Sequence, residues 1–157
     1  MMKDGSIGGW SNMNLKNLLP EEAGIFICDY KKRDAILKNR RQAADSLKNK
    51  NGGPLGILYL KEIVIGSSNE PFHSLALAKL PGIKKTSNDL FSFNEGPSLR
   101  LKNSKINGIE KIVVKVKSIK KARTFLVENN LLGAATTTSI YIDPKVLDGL
   151  IIELTDN

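Results

Sequence analysis

The sequence predicts an α+β protein built mainly from a duplicated unit of strand, helix and strands. Two observations predict it. First, Leu58–Gly82 and Ile109–Gly133 both read as a β-branched strand, a capping residue, an amphipathic helix and a closing glycine. Second, the likeness recurs at a slowly growing spacing. EIVIG at Glu62 precedes KIVVK at Lys111 by 49 residues, LPG at Leu80 precedes LLG at Leu131 by 51, and SLRL at Ser98 precedes IIEL at Ile151 by 53. A drift of that kind is what loop insertions produce.

The second unit is the clearer one. Ile112, Val114 and Val116 alternate with Lys111, Val113, Lys115 and Lys117, a period of two that gives a strand with one basic face. Ser118 can cap the following helix, because its hydroxyl accepts a free first-turn amide. Ile119, Ala122, Phe125, Leu126 and Leu131 fall on one stripe, which lies back on the Ile112/Val114/Val116 face. Gly133 can take the left-handed conformation that stops a helix. SIYI (139–142) and LIIEL (150–154) are strands, with DPKVLDG as the turn between them.

The first unit repeats this order. Ser68 or Asn69 can cap, and Pro71 is tolerated in the first turn, where its missing amide would be free anyway. Phe72, Leu75, Ala76 and Leu80 make the stripe. DLFSF (89–93) and PSLRL (97–101) are strands joined by NEGP. Alternation places Glu62 on one sheet face with Leu60 and Val64, and Lys111 on the corresponding face with Val113.

Before these units the chain reads differently. Residues 1–19 are irregular, with turn chemistry in GSIGGW and SNMN. Trp10 reads as a hydrophobic plug ahead of a ligand-stacking residue. Met13, Leu15, Leu18 and Leu19 can cover a sheet edge or cavity. GIFICDY (24–30) is a strand, residues 31–49 a basic helix, and NKNGGP (49–54) the best boundary. The expected organisation is an N-terminal extension, 1–54, and a domain, 55–157, of two modules, 55–104 and 105–157.

Composition narrows the function classes. At 157 residues and 41% hydrophobic, the chain suits one domain or two very small ones. No apolar run approaches the ~18 residues of a membrane span. The opening MMKDGSIGGW lacks a secretory core, so a cytoplasmic protein is the default expectation. One cysteine and one histidine exclude an internal disulfide, a cysteine-cluster metal site and any site needing two histidines. Cys28, in IFIC, reads as a small apolar residue ahead of a catalytic thiol, and His73 as a surface or edge residue.

The net charge is +8, and residues 31–50 hold eight Lys/Arg against two Asp. This stretch reads as a solvated helix face, with no aromatics interleaved to stack bases. Arg40 sits between Ile36 and Ala43/Ala44 on the apolar stripe and can snorkel. Nucleic acid is not expected as a partner. Neither is a membrane.

The segments KVKSIKKARTFLVENNLLG and GLIIELTD, in the order strand, helix, strands, resemble the paired βαβββ modules of the vicinal oxygen chelate superfamily. Glyoxalase I, bleomycin-resistance proteins and extradiol dioxygenases belong to it. The resemblance covers about Leu55 to Asn157. Residues 1–54 are similar to the run-in between two module pairs in longer relatives, so this chain can be half of a four-module arrangement. The resemblance implies one curved mixed sheet with the helices outside. Two strands are found after each helix where the family has three. GIFICDY, or the segment around Trp10, is expected to complete a sheet edge.

The resemblance also implies metal ligands at the third residue of each opening strand and near the end of each last strand. The matching positions are Glu62, Arg100, Lys111 and Glu153. Protonated Lys and Arg offer no lone pair, and catalytic zinc normally takes three protein ligands. No metal is expected, and no cofactor is predicted. The implied function is glyoxalase-like small-molecule binding, of unknown substrate. Glu62, Arg100, Lys111 and Glu153 would face an anionic ligand, and a homodimer is the implied assembly. Lyase or dioxygenase chemistry on a degenerate site stays open, with Glu153 as the candidate catalytic carboxylate. Two alternatives stand beside it. One is a non-catalytic binding or structural protein in which the four charges pair off. The other is binding of nucleic acid or a partner through the basic helix.

Overall fold

The computed structural model describes residues 9–31 and 33–157. Expectations placed on residues 1–8 lie outside it. The N-terminal region holds strand β1 (Trp10–Asn14), a 3₁₀ turn (Glu21–Ala23), strand β2 (Phe26–Tyr30) and helix α1 (Arg33–Asn49). The first module follows as β3 (Ile57–Ser67), α2 (Glu70–Ala78), β4 (Ile83–Lys85), β5 (Leu90–Phe93) and β6 (Ser98–Asn103). The second is β7 (Gly108–Val116), α3 (Ile119–Glu128), β8 (Leu132–Ala135), β9 (Ser139–Ile142) and β10 (Ile152–Thr155).

All eight module strands form one mixed sheet, in the order β4-β5-β6-β3-β7-β10-β9-β8. The opening strands β3 and β7 meet antiparallel at its centre, and each pairs in parallel with the last strand of its own module. The duplication therefore holds in three dimensions. Val64 is the partner of Arg100, and Val113 is the partner of Glu153. These are the same step of the ladder under the offsets of 49 and 53.

Two apolar clusters hold the helices on the sheet. Leu77 of α2 packs with Ile65, Phe91, Leu99 and Leu101. Ala122 and Leu126 of α3 pack with Val116, Ile140 and Leu154. Ile63, against the first cluster, pairs with Ile112, which shares a face with Val114 of the second. Both helices thus cover one face. Fully burying side chains such as Leu77, Phe91 and Leu126 is worth about 1.5–3 kcal/mol each. Ser118 caps α3, its hydroxyl accepting from the Lys121 amide, and Gly82 (φ 81°) follows α2 as a left-handed stop.

Five expectations are corrected. The stripe read for α2 holds only in part: Ala76 and Leu80 pack on the core, but Phe72 and Leu75 are exposed and Leu77 is buried in their place. Each helix is followed by three strands, not two. The added ones, β4 and β8, have only three and four residues, too short to show a period. β8 takes up Gly133, which does not stop the helix. Asn130 (φ 56°) does so instead, and Gly133 lies where an added Cβ would come 3.1 Å from Asp143 Cα. Residues 10–14 are a strand that pairs with β2 in a separate two-stranded sheet, so neither completes an edge of the large one. Leu60 does not share a face with Glu62. A bulge between them sets Leu60 opposite Val114 and Glu62 opposite Val113.

The N-terminal segment is anchored by its leucines. Leu18 and Leu19 are buried in the first cluster, beside Ala23. Met13 is exposed. On α1, Arg40 donates to the Tyr30 hydroxyl at 3.1 Å, and its guanidinium lies 5.2 Å from the ring centroid. Among the described residues, no helix is long and apolar enough to cross a membrane.

Candidate functional site

The sheet face opposite the helices carries the four residues singled out from the sequence. Strand alternation sends Ile63, Ile65, Leu99 and Leu101 to α2, which leaves Glu62, Val64 and Arg100 on the other side. In the second module Val114, Ile152 and Leu154 face α3, which leaves Lys111, Val113 and Glu153. At the β3–β7 seam Glu62 lies opposite Val113 and Val64 opposite Lys111. Val64 and Val113, 3% and 7% exposed, form a dry centre flanked by the charges.

The charges are paired. Arg100 holds Glu62 with a two-pronged contact, Nε to Oε1 at 2.8 Å and Nη2 to Oε2 at 3.1 Å. Its Nη1 donates to Asp89 Oδ2 at 2.8 Å. Lys111 Nζ donates to Glu153 Oε2 at 2.6 Å. Both pairs lie within a module and occupy equivalent positions with the signs exchanged: acid then base in the first, base then acid in the second. All four side chains are partly buried, the acids 16% exposed and the bases 31–32%.

These contacts shift the ionisations. Hydrogen bonds to Glu62 and then Asp89 raise the Arg100 guanidinium further above its ordinary value. The hydrogen bond from Arg100, helped by Ser87, lowers Asp89. Burial acts to lower Lys111, but the hydrogen bond and charge of Glu153 outweigh it and leave Lys111 raised.

Asp89 is the partner that sequence reasoning missed. It reads there only as the first residue of DLFSF. The available signal was its place before a strand that pairs with the Arg100 strand, Leu90 standing opposite Arg100.

A divalent cation does not fit this face. Arg100 and Lys111 hold two of the four positions singled out from the sequence, and each engages one of the two carboxylates a metal would need. Among the described residues, no three His, Cys, Asp or Glu side chains come together as a metal site.

No family model and no curated protein matches the chain. Solved structures do. A methylmalonyl-CoA epimerase variant from Streptomyces coelicolor, in complex with 2-nitronate-propionyl-CoA, aligns over 62% of this chain and 96% of its own, at 10% identity and a TM-score of 0.50. The fold is glyoxalase-like. The enzyme of the same name from Mycobacterium tuberculosis aligns over 63% of this chain and 87% of its own, at 14% identity and a TM-score of 0.47. A hypothetical protein from Bacillus halodurans covers 61% and 91%, at 20% identity and 0.40. The likeness to the S. coelicolor enzyme bears on the fold alone. In this glyoxalase-like sheet, the four positions singled out from the sequence hold two ion pairs.

Proposed function

We propose that the chain is a glyoxalase-like small-molecule-binding protein. Its ligand lies on the sheet face opposite the helices, across the β3–β7 seam, and binds without a divalent metal. One observation supports this above the others: four charged groups converge around the dry Val64/Val113 centre. An apolar floor with a few convergent polar groups is the usual make-up of a ligand site.

The pairs leave donors to spare. Arg100 uses three of its five N–H groups on Glu62 and Asp89. Lys111 uses one of three on Glu153. Glu62, Asp89 and Glu153 balance Arg100, Lys111 and Lys115 on this face, so recognition rests on hydrogen-bond geometry more than on net charge. A small molecule bearing carboxylate or adjacent carbonyl oxygens matches these donors. If chemistry follows binding, Glu153 is the residue to accept a hydrogen bond or a proton from the ligand.

The test is a thermal-shift screen of wild type and Arg100→Ala with malonate, succinate, phosphate and a propionyl thioester. The last is chosen for the ligand in the S. coelicolor structure. A stabilisation lost in Arg100→Ala is expected. Equal responses from both proteins, or none, would remove this reading. A second reading would then stand, in which the pairs are clips joining the first and last strands of each module. Both acids being already engaged favours it.

A further inference from the structure

The helix-covered side of the first module displays two large apolar side chains that its core leaves unused. Phe72 and Leu75 stand three apart on α2 and share a face, at 49% and 66% exposure. They form one wall of a groove of about 570 Å³, whose other wall is the segment Asn14–Leu18. Leu15 and Leu80 extend the apolar lining. The ionisable residues of the lining are Lys16 and Lys79, with no carboxylate between them. The acids of this region, Glu21 and Glu22, line a separate cleft of about 650 Å³ reached by the same Asn14–Asn17 segment.

An apolar trough of ligand size, with cations and no anion in its lining, selects one chemistry. A plain alkane would leave the lysines unused, and a cationic amphiphile would be repelled by them. We propose that this groove is a second ligand site, for an amphipathic anion: an alkyl chain on Phe72 and Leu75, its carboxylate directed to Lys16 and Lys79. The groove lies on the opposite side of the sheet from Arg100 and Lys111, so it stands independently of the site proposed above.

The probes are decanoate, octanoate, decanol and decylammonium, each titrated into the whole chain by calorimetry. Decanoate should bind saturably. Octanoate, two methylenes shorter, should bind roughly tenfold more weakly. Decanol should be weaker than decanoate, and decylammonium should give no saturable heat. Leu75→Asp, and separately Lys16→Glu with Lys79→Glu, should each weaken decanoate tenfold or more. All three positions are exposed, and circular dichroism checks that the variants fold. Arg100→Ala should bind decanoate as wild type does. Should a variant not fold, nuclear Overhauser contacts between decanoate and the Phe72 ring in wild type decide the matter. Decanol equalling decanoate, indifference to either variant, or absence of those contacts overturns the proposal.

Discussion

Arg100 links its own strand to β3 and to Asp89, the residue before β5, and its removal gives the sharpest test of how the sheet face opposite the helices is held. The guanidinium is 32% exposed, Glu62 16% and Asp89 41%. Fully exposed pairs are worth about 0.2–1 kcal/mol, while breaking a buried pair costs about 3–5 kcal/mol. The two-pronged contact with Glu62 lies between these limits, so a coupling of about 1–2 kcal/mol is expected. The more exposed Asp89 contact adds a few tenths. Arg100→Ala should then lose about 2 kcal/mol and, in a chain of this size, about 4–8 °C in Tm. The assay is a double-mutant cycle of Glu62→Gln and Arg100→Met, followed by urea unfolding. Additivity within about 0.3 kcal/mol would refute the argument. The second module adds a stricter version, because its equivalent pair has the signs exchanged. Glu62→Arg with Arg100→Glu should recover only part of the loss, since Asp89 would then face a carboxylate.

The remaining expectations concern other parts of the molecule. The raised Lys111 contributes stability that is full below its unfolded value of about 10.4 and is lost as pH rises through the folded value. Wild type and Lys111→Met should therefore differ in Tm at pH 7 and converge in strong alkali; a constant gap would count against it. Asp89 is lowered, so its smaller contribution is present above about pH 3.9 and fades as pH falls through the folded value. Asp89→Asn should match wild type in acid and fall slightly below it at neutral pH, by calorimetric Tm. Gly66→Ala would set a methyl 2.3 Å from the Ile106 carbonyl oxygen, and should cost about 2 kcal/mol or more in urea unfolding; a neutral result would mean that β3 moves freely there. Elemental analysis should find no stoichiometric divalent metal. About one equivalent, lost with Glu153→Ala, would contradict the metal-free reading.

The sequence was most legible where patterns were long. The β-branched alternation of EIVIG and KIVVK is a strand signal spanning about half of β3 and of β7, and Ser118 carries its own capping chemistry. The duplication placed Arg100 and Glu153 correctly because a matched ladder step survives loop insertions. Short elements left no such trace. Three residues in β4 cannot display a period, and LGAA in β8 carries nothing typical of a strand. The bulge after Leu60 could not be seen either, since an extra residue in one strand is defined only against its partner. The site shows the same division. Alternation brought Glu62, Arg100, Lys111 and Glu153 to one face, but which acid takes which base depends on strand order. Asp89 entered only because β5 returns beside β6.

The position of β10 bears on how the chain reaches this structure. Ile152–Thr155 form an interior strand, between β7 and β9, although they come after both in the chain. The second-module half of the sheet therefore cannot close until β10, which follows both of its neighbours in the chain, has been inserted between them. Until then β7 and β9 both present open edges, the kind of exposed template that favours pairing with a neighbouring chain. The first-module half closes in the same way on β6, which lies between β5 and β3 and comes some fifty residues earlier. Deleting Ile152–Thr155 would remove a strand from the inside of the sheet.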